Sequence, residues 1–302
     1  MFTMASNTGT PGPLASTRRT SGRARAAAIA TVVALGVTAT ACSSGTDGDR
    51  ADAPADAATT SSDAGTSALP AGAEDLAGRW AHFDVVAYED DTMKTLIIST
   101  GFADLEVRDG ELVNQMVFCH ADTANDLGSE VTFSDAATQA ILPVATPVEV
   151  SGEPGSFHVV RPATPTPIGI ELADPANEAL PTDPDDPRIV DADGDGKPGV
   201  TAKVKVSEDL QGEIYLARRE IFAYDVTQVA EDRFEGTITD DSEQLVIDAS
   251  DPVFLGAGGN WEQLDDPERN PVIWVRVDDD WDCDRLAEER DALFPPNPKA
   301  DW

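Results

Sequence analysis

From residue 76 onwards, most of the chain consists of short segments in which apolar and polar residues alternate. In residues 200–206, valine and alanine alternate with threonine and lysine, a pattern typical of a strand with one buried face. Further segments of strand length are rich in β-branched and aromatic residues. They are 80–88, 93–99, 102–108, 112–119, 131–133, 148–150, 157–160, 168–172, 212–229, 234–239, 244–247 and 272–277.

Only one segment of this region has a helical pattern. Residues 284–294 begin with acids, place leucines and a phenylalanine on one face, and end before Pro295 and Pro296. The segment 212–229 is longer than an average strand, and we predict two strands bent near Arg218. Asp109-Gly110 predicts a tight hairpin turn. The pattern therefore predicts an all-β protein, an antiparallel meander closing as a barrel or a sandwich, with one short C-terminal helix.

The N-terminal residues 1–41 have the composition of an export signal. Basic residues up to Arg25 precede a small and apolar run that ends at Ala41, and this run is too short to span a membrane stably. Residues 42–72 contain mostly small and polar side chains, which predicts a disordered tether. We expect residues 73–302 to form a single extracytoplasmic β-rich domain, although two domains joined near residue 190 remain an alternative.

The sequence Ala39-Thr40-Ala41-Cys42 follows the export signal directly. It resembles the lipobox of bacterial lipoproteins, in which the cysteine is lipidated and becomes the mature N-terminus. The resemblance implies a protein held at the cell membrane by the lipid on Cys42, since two acyl chains suffice for stable anchoring. The alternative is a plain secreted protein cleaved near Ala41.

Three aspartates at alternate positions, Asp191, Asp193 and Asp195, lie in a loop of residues 191–199 and are followed by Gly196. Hard divalent cations such as Ca²⁺ are bound by several such oxygen atoms, and we expect the carbonyl of Lys197 to add one more. Position 12 of a helix-flanked calcium loop would be a glutamate, but here it is Ala202. We expect an upstream acid, Asp183, Asp185 or Asp186, to replace it. The alternative is a turn in which aspartates bond their own backbone.

The acid pattern resembles the calcium loops of thrombospondin type 3 and dockerin repeats over about ten residues. Residues 186–201, with the pattern D-x-D-G-D-G-x-P-G, are similar to a stretch found in uncharacterised bacterial secreted lipoproteins. This second resemblance implies a cellular location and no particular activity.

The cysteines other than Cys42 are Cys119 and Cys283, an even pair in an oxidising compartment, which predicts a disulfide. A zinc site made by Cys119, His120 and Asp122 is the alternative. Neighbouring residues of a regular strand point to opposite faces, which argues against that site.

Acids outnumber bases 56 to 21, and a surface with this charge repels nucleic acid, so we expect no nucleic-acid partner. The chain contains no G-x-S-x-G, no H-E-x-x-H and no glycine-rich phosphate loop, and we therefore expect no enzymatic activity.

Gly78-Arg79-Trp80 in the first predicted strand and Arg276 in the last one, followed by a helix, resemble the lipocalin arrangement. In lipocalins an arginine covers the tryptophan at the barrel floor. Any buried tryptophan of a β core would give the same pattern. Two functions therefore remain open: a non-enzymatic, calcium-stabilised surface module for binding or structure, and a lipocalin-like carrier of a small apolar ligand.

Overall fold

The computed structural model describes residues 68–90, 93–258 and 262–302. Within these residues the chain forms thirteen strands and two α-helices, together with short 3₁₀ turns. The strands are β1 (Gly78–Glu89), β2 (Lys94–Arg108), β3 (Glu111–Asn125), β4 (Glu130–Phe133), β5 (Thr146–Pro147), β6 (Glu149–Ser151), β7 (His158–Ile168), β8 (Val200–Ser207), β9 (Leu210–Ala230), β10 (Arg233–Asp240), β11 (Glu243–Ala249), β12 (Glu262–Gln263) and β13 (Pro271–Arg276). The helices are α1 (Asp135–Gln139) and α2 (Cys283–Leu293).

All thirteen strands belong to one antiparallel sheet, which curls into a half-barrel. Its main path runs in the order β4-β8-β9-β10-β13-β1-β2-β3-β5, while β6, β7, β11 and β12 pair beside it. The predicted all-β class and the predicted C-terminal helix are confirmed. The strands form one curled sheet rather than two stacked sheets.

The sheet curls far enough for its two sides to approach each other. β5 pairs with the beginning of β3, and β6, one residue further along the chain, pairs with β7. β7 in turn pairs with the second half of β9. The side chains of Thr146 and Thr164 meet at the seam between β5 and β7, with their hydroxyl oxygens 3.2 Å apart.

Several strands are longer than the sequence pattern indicates, and the two strands predicted on either side of Arg218 are one. The segments 93–99 and 102–108 form the single strand β2, and 212–229 forms the single strand β9. Thr100 pairs with His120 and Gly101 with Phe118, so Cys119 is the extra residue of a β-bulge in β3. The gap between the predicted segments 93–99 and 102–108 therefore corresponds to this β-bulge, and the pairing of β2 with β3 continues on both sides of it.

The predicted turn at Asp109-Gly110 joins β2 to β3. Asp109 has φ +52° and Gly110 has φ +86°. Two successive residues with positive φ suit a two-residue hairpin, because they match the twist of the strands they join.

Alternation along β1 separates two apolar layers. Trp80, Val86 and Tyr88 point into the curled sheet and pack in one buried cluster with Phe234 and Trp274. Residues of the opposite face of β1, such as Phe83, pack beneath α2 and the C-terminal segment in a second cluster. The helix therefore covers the outer face of the sheet. Leu69 packs against the inner cluster, so packing begins before residue 73, the predicted domain start.

Candidate functional site

The acidic loop lies between β7 and β8 and is tied together at its base. Asp191 and Gly199 form an isolated bridge, in which the amide of Ala192 donates to the carbonyl of Gly199 over 2.9 Å. Gly199 has φ +80°, and a Cβ atom at this position would lie 2.2 Å from the carbonyl oxygen of Leu216. Only glycine fits at this point, where the loop presses against β9.

The three predicted aspartates lie together, with one carboxylate oxygen from each of Asp191, Asp193 and Asp195 within 4.8 Å of the others. Asp191 accepts hydrogen bonds from the amides of Gly194 (2.8 Å), Asp195 (3.2 Å) and Gly196 (2.9 Å). Such bonds fold the loop around its first aspartate and leave the three carboxylates facing one another.

The remaining two carboxylates are partly occupied by neighbouring groups. Asp195 accepts from the amide of Lys197 (2.8 Å) and from the hydroxyl of Thr201 (2.6 Å). Asp193 Oδ2 accepts from the amide of Thr201 over 3.0 Å. The sequence analysis treats a turn with aspartates bonded to the backbone and a convergence of three acids as alternatives. Both occur together in this loop.

Asp193 Oδ1 is the exception within the cluster. It is buried and has no hydrogen-bond partner among the described residues. Desolvation raises the pKa of Asp193, and the charges of Asp195 and Asp191 add to this rise, although the Thr201 amide opposes it. A buried, unpartnered carboxylate oxygen is costly unless a positive charge neutralises it. The donor set consists only of oxygens, which suits a hard divalent cation such as Ca²⁺.

The other predicted ligands differ in their placement. The ammonium of Lys197 lies 5.3 Å from the ring centroid of Tyr215, so its side chain belongs to the contact with β9. Asp186 is held by Arg188, with its Oδ1 atom 2.9 Å from Nε, and this pairing lowers the pKa of Asp186 to about 2. Asp183 Oδ1 accepts from the amide of Asp185 over 3.0 Å. The three-residue cluster contains none of the upstream acids proposed to replace Ala202.

Cys119 and Cys283 lie at disulfide distance, with Cα atoms 5.3 Å apart. The bulge in β3 turns Cys119, His120 and Asp122 toward the same cleft, a space of about 380 Å³ beside α2. The expectation that neighbouring residues point to opposite faces is wrong here, because the bulge interrupts the alternation. His120 contacts two carboxylates, with Nδ1 2.7 Å from Asp135 and Nε2 3.1 Å from Asp122.

The structure brings Trp80 and Arg276 together. They are paired residues of β1 and β13, and the guanidinium carbon of Arg276 lies 4.4 Å from the Trp80 ring centroid. Arg276 also donates to the carbonyls of Ala77 (3.0 Å) and Asp75 (2.6 Å). It thereby fastens the 3₁₀ turn before β1 to the bottom of the inner core.

The inside of the curled sheet contains buried charges that the sequence analysis missed. In β9, Arg218 Nε lies 2.7 Å from Glu220 Oε1, and both side chains are about nine-tenths buried. In β7, Arg161 is 3% exposed. Alternation along β9 places the side chains of residues 218, 220, 222 and 224 on one face of the strand. The sequence does not show that this face is the interior one, which follows only from the pairing of β9 with other strands on both sides.

Two small cavities lie inside the sheet. The larger, about 60 Å³, has mainly apolar walls and is bordered by Arg218 and Glu220. The smaller, about 10 Å³, lies at the seam between β5 and β7 and is bordered by Arg161 and Tyr224. Both are far below the volume of about 300–1,000 Å³ that small-molecule pockets usually have.

The predicted lipidation site Cys42 lies outside the described residues, as do the signal peptide and most of the predicted tether. In the described part of the chain, no helix is long and apolar enough to cross a membrane. No protein-family model, curated protein sequence or solved structure matches the chain.

Proposed function

We propose that this chain is an extracytoplasmic lipoprotein, anchored by Cys42, whose β domain is stabilised by Ca²⁺ and serves as a non-enzymatic binding or structural module. The observation that carries the calcium part is the buried and unpartnered Oδ1 of Asp193, a residue whose carboxylate lies close to those of Asp191 and Asp195. Bound Ca²⁺ would supply positive charge to Asp191, Asp193 and Asp195, with the Lys197 carbonyl as a further ligand. The anchoring part rests on the lipobox-like sequence before Cys42.

A stabilising rather than a catalytic cation fits the place of this loop. The long connection between β7 and β8 packs on β9 and β11 through an apolar cluster that contains Ile170, Tyr215, Ala217 and Ile247. A cation that fixes the end of this connection would therefore hold it against the sheet. Gly199 holds the acidic loop against β9, directly before β8. An ordered loop therefore also holds the first residues of β8 in place.

The calcium proposal predicts a calcium-dependent unfolding temperature. With a Kd of about 10⁻⁴–10⁻³ M, as for extracellular modules, about 10 mM Ca²⁺ stabilises the folded state by about 1.4–2.7 kcal/mol. For a domain of this size the melting temperature would rise by about 3–10 °C compared with a sample in chelator. Because only the ionised carboxylates bind the cation, the effect should shrink as the pH falls toward the raised pKa of Asp193.

Asp193→Asn is the informative variant for this measurement. Asparagine keeps an acceptor for the Thr201 amide but removes the charge, so the calcium effect should disappear. The matched control is Asp174→Asn, at an exposed aspartate of the same connection outside the cluster, which should retain the effect. A wild-type protein that melts identically in calcium and in chelator would show that the loop is only a turn.

The anchoring proposal is tested by cell fractionation. Cys42→Ser should move the protein from the membrane fraction to the soluble one, because the acylated side chain is lost. Asp193→Asn in the same experiment should leave the membrane fraction unchanged. Equal membrane association of wild type and Cys42→Ser would refute lipidation at this residue.

The second candidate function is a lipocalin-like carrier of a small apolar ligand. Arg276 over Trp80 and the apolar cavity inside a curled sheet favour it. The small volume of that cavity limits the ligand to a few heavy atoms unless neighbouring side chains move.

A further inference from the structure

The cleft beside α2 has the volume of a small-molecule site and is bordered by the two paired cysteines. Its volume of about 380 Å³ lies within the range of about 300–1,000 Å³ that is usual for such sites. Cys119 and Cys283 both border it, together with the apolar side chains of Ile98, Leu286 and Ala287. A disulfide at this place is therefore within reach of a small molecule that enters the cleft.

The two cysteines differ in exposure. Cys119 is 3% exposed in the bulge of β3, whereas Cys283, the first residue of α2, is only half-buried. In thiol–disulfide exchange a thiolate attacks one sulfur of the disulfide and the other sulfur leaves, and access is one of the factors that decide which sulfur is attacked. We therefore expect attack at Cys283 and departure of Cys119.

The position of α2 does not depend on the disulfide alone. Leu286 and Phe294 are buried in the apolar cluster on the outer face of the sheet, together with Phe83 of β1. Beyond the helix, the indole nitrogen of Trp302 donates to Glu89 over 3.0 Å. These contacts remain when the bond between the two sulfurs is opened, so the cysteines can be reduced while the protein stays folded.

Acidic side chains outnumber basic ones around the cleft. Asp122, Asp135 and Asp284 border it, whereas the basic side chains are those of His120 and Arg290. His120 already contacts Asp135 and Asp122, while Asp284 has no ion-pair partner among the described residues. A cleft with this charge attracts positively charged molecules and repels negatively charged ones.

We propose that the Cys119–Cys283 disulfide is an exchange site for small, positively charged thiols of the aminothiol class, which reach it through the cleft beside α2. The proposal goes beyond the binding or structural role and is independent of the calcium loop, of the lipid on Cys42 and of the carrier candidate. The exchange is stoichiometric, because each reaction consumes the disulfide.

The exchange has two steps. A first aminothiol loses its proton to water, and its sulfur bonds to Sγ of Cys283. The bond between the two protein sulfurs breaks, and its electron pair leaves with Sγ of Cys119, which takes a proton from water. The thiolate of a second aminothiol attacks the outer sulfur of the mixed disulfide and releases Cys283, which is protonated in the same way. The two small thiols lose two electrons and become a disulfide, while the two cysteines are reduced.

The test compares cysteamine with 2-mercaptoethanesulfonate, two thiols of similar size and opposite charge. The full chain, in calcium-containing buffer with a non-ionic detergent, is mixed with an excess of either thiol, quenched with acid at timed intervals, alkylated and mapped by peptide mass spectrometry. Each rate is divided by the rate of the same thiol on bis(2-hydroxyethyl) disulfide, which is neutral, so that differences in thiol reactivity cancel. The normalised rate should be about tenfold higher for cysteamine.

Two variants locate the origin of this preference. Asp284→Asn removes the charge of an exposed aspartate that borders the cleft and should lower the preference about threefold. Glu289→Gln, at an exposed acid of α2 that does not border the cleft, is the matched control and should leave the preference unchanged. High salt should also reduce the preference in wild type, because it screens exposed charges.

Four results would overturn the proposal. Free thiols at Cys119 and Cys283 before any thiol is added would refute the disulfide itself. A disulfide that resists both thiols in the folded protein but reacts in urea would have a structural role only. Equal normalised rates for the two thiols would refute the selection of aminothiols by the cleft. A mixed disulfide trapped on Cys119 would refute attack at Cys283.

Discussion

The buried ion pair between Arg218 and Glu220 allows a direct test of how the inside of the sheet is stabilised. The perturbation is Glu220→Gln, which preserves the shape of the side chain and removes its charge. Arg218 then keeps its hydrogen bond to Gln244 (3.1 Å) but loses its nearest carboxylate. Desolvation opposes the charge of Arg218, yet Glu220, Tyr88 and Asp240 together raise its pKa, so the pair is an important part of the electrostatic balance.

The loss of stability caused by Glu220→Gln depends on how deeply the ion pair is buried. Removing one partner of a buried ion pair destabilises a protein by about 3–5 kcal/mol, because the other charge is left uncompensated. Asp240 remains nearby, with its carboxylate bonded to Ser242, and retains part of the compensation. We therefore expect the lower end, about 3 kcal/mol, which corresponds to a fall of about 6–12 °C in melting temperature for a domain of this size.

The chain provides a closely matched control. Arg233 and Glu235 in β10 have the same spacing in sequence and the same Nε–Oε1 distance, 2.7 Å, but their side chains are 31% and 50% exposed. Glu235→Gln should cost less than about 1 kcal/mol, since exposed pairs are screened by solvent. Both variants are measured by urea unfolding in saturating calcium. Equal costs for the two substitutions would refute the argument that burial decides the contribution of the pair.

Two further predictions concern the cleft beside α2. Intact-mass analysis should show a gain of about 2 Da on reduction, with one peptide linking Cys119 to Cys283, and two free thiols would contradict the disulfide. Burial lowers the pKa of His120, but its hydrogen bonds to Asp135 and Asp122 outweigh this effect and leave the pKa raised. The resulting stabilisation is therefore complete below the unfolded value of about 6.5 and is lost as the pH rises through the raised value. His120→Gln should remove this part of the pH dependence in urea unfolding, and an unchanged difference between the low-pH and high-pH stabilities would refute it.

The sequence determined the local features whose cause lies within a few residues. Alternation predicted the strands, because a half-buried strand needs an apolar side chain at every second position. Asp109-Gly110 predicted the hairpin, since positive φ values at both positions close a two-residue turn. The spacing of Asp191, Asp193 and Asp195 predicted their convergence in one loop. The pairing of Cys119 with Cys283, although distant in sequence, followed from the expectation that the third cysteine, Cys42, carries lipid.

The tertiary structure decided what depends on pairing between distant strands. The bulge at Cys119 arises from the register in which β3 pairs with β2. It places the side chain of His120 on the same side of the sheet as that of Cys119. α1 has five residues, too few for a periodic pattern to be recognised, and its place follows from its packing on the sheet. β9 is one continuous strand because it has partner strands along its length. β8 and β11 pair with its first half, and β7 and β10 pair with its second half. Only this arrangement encloses Arg161, Arg218 and Glu220, because an arginine or glutamate in an alternating strand carries no local sign of whether its face is inside or outside.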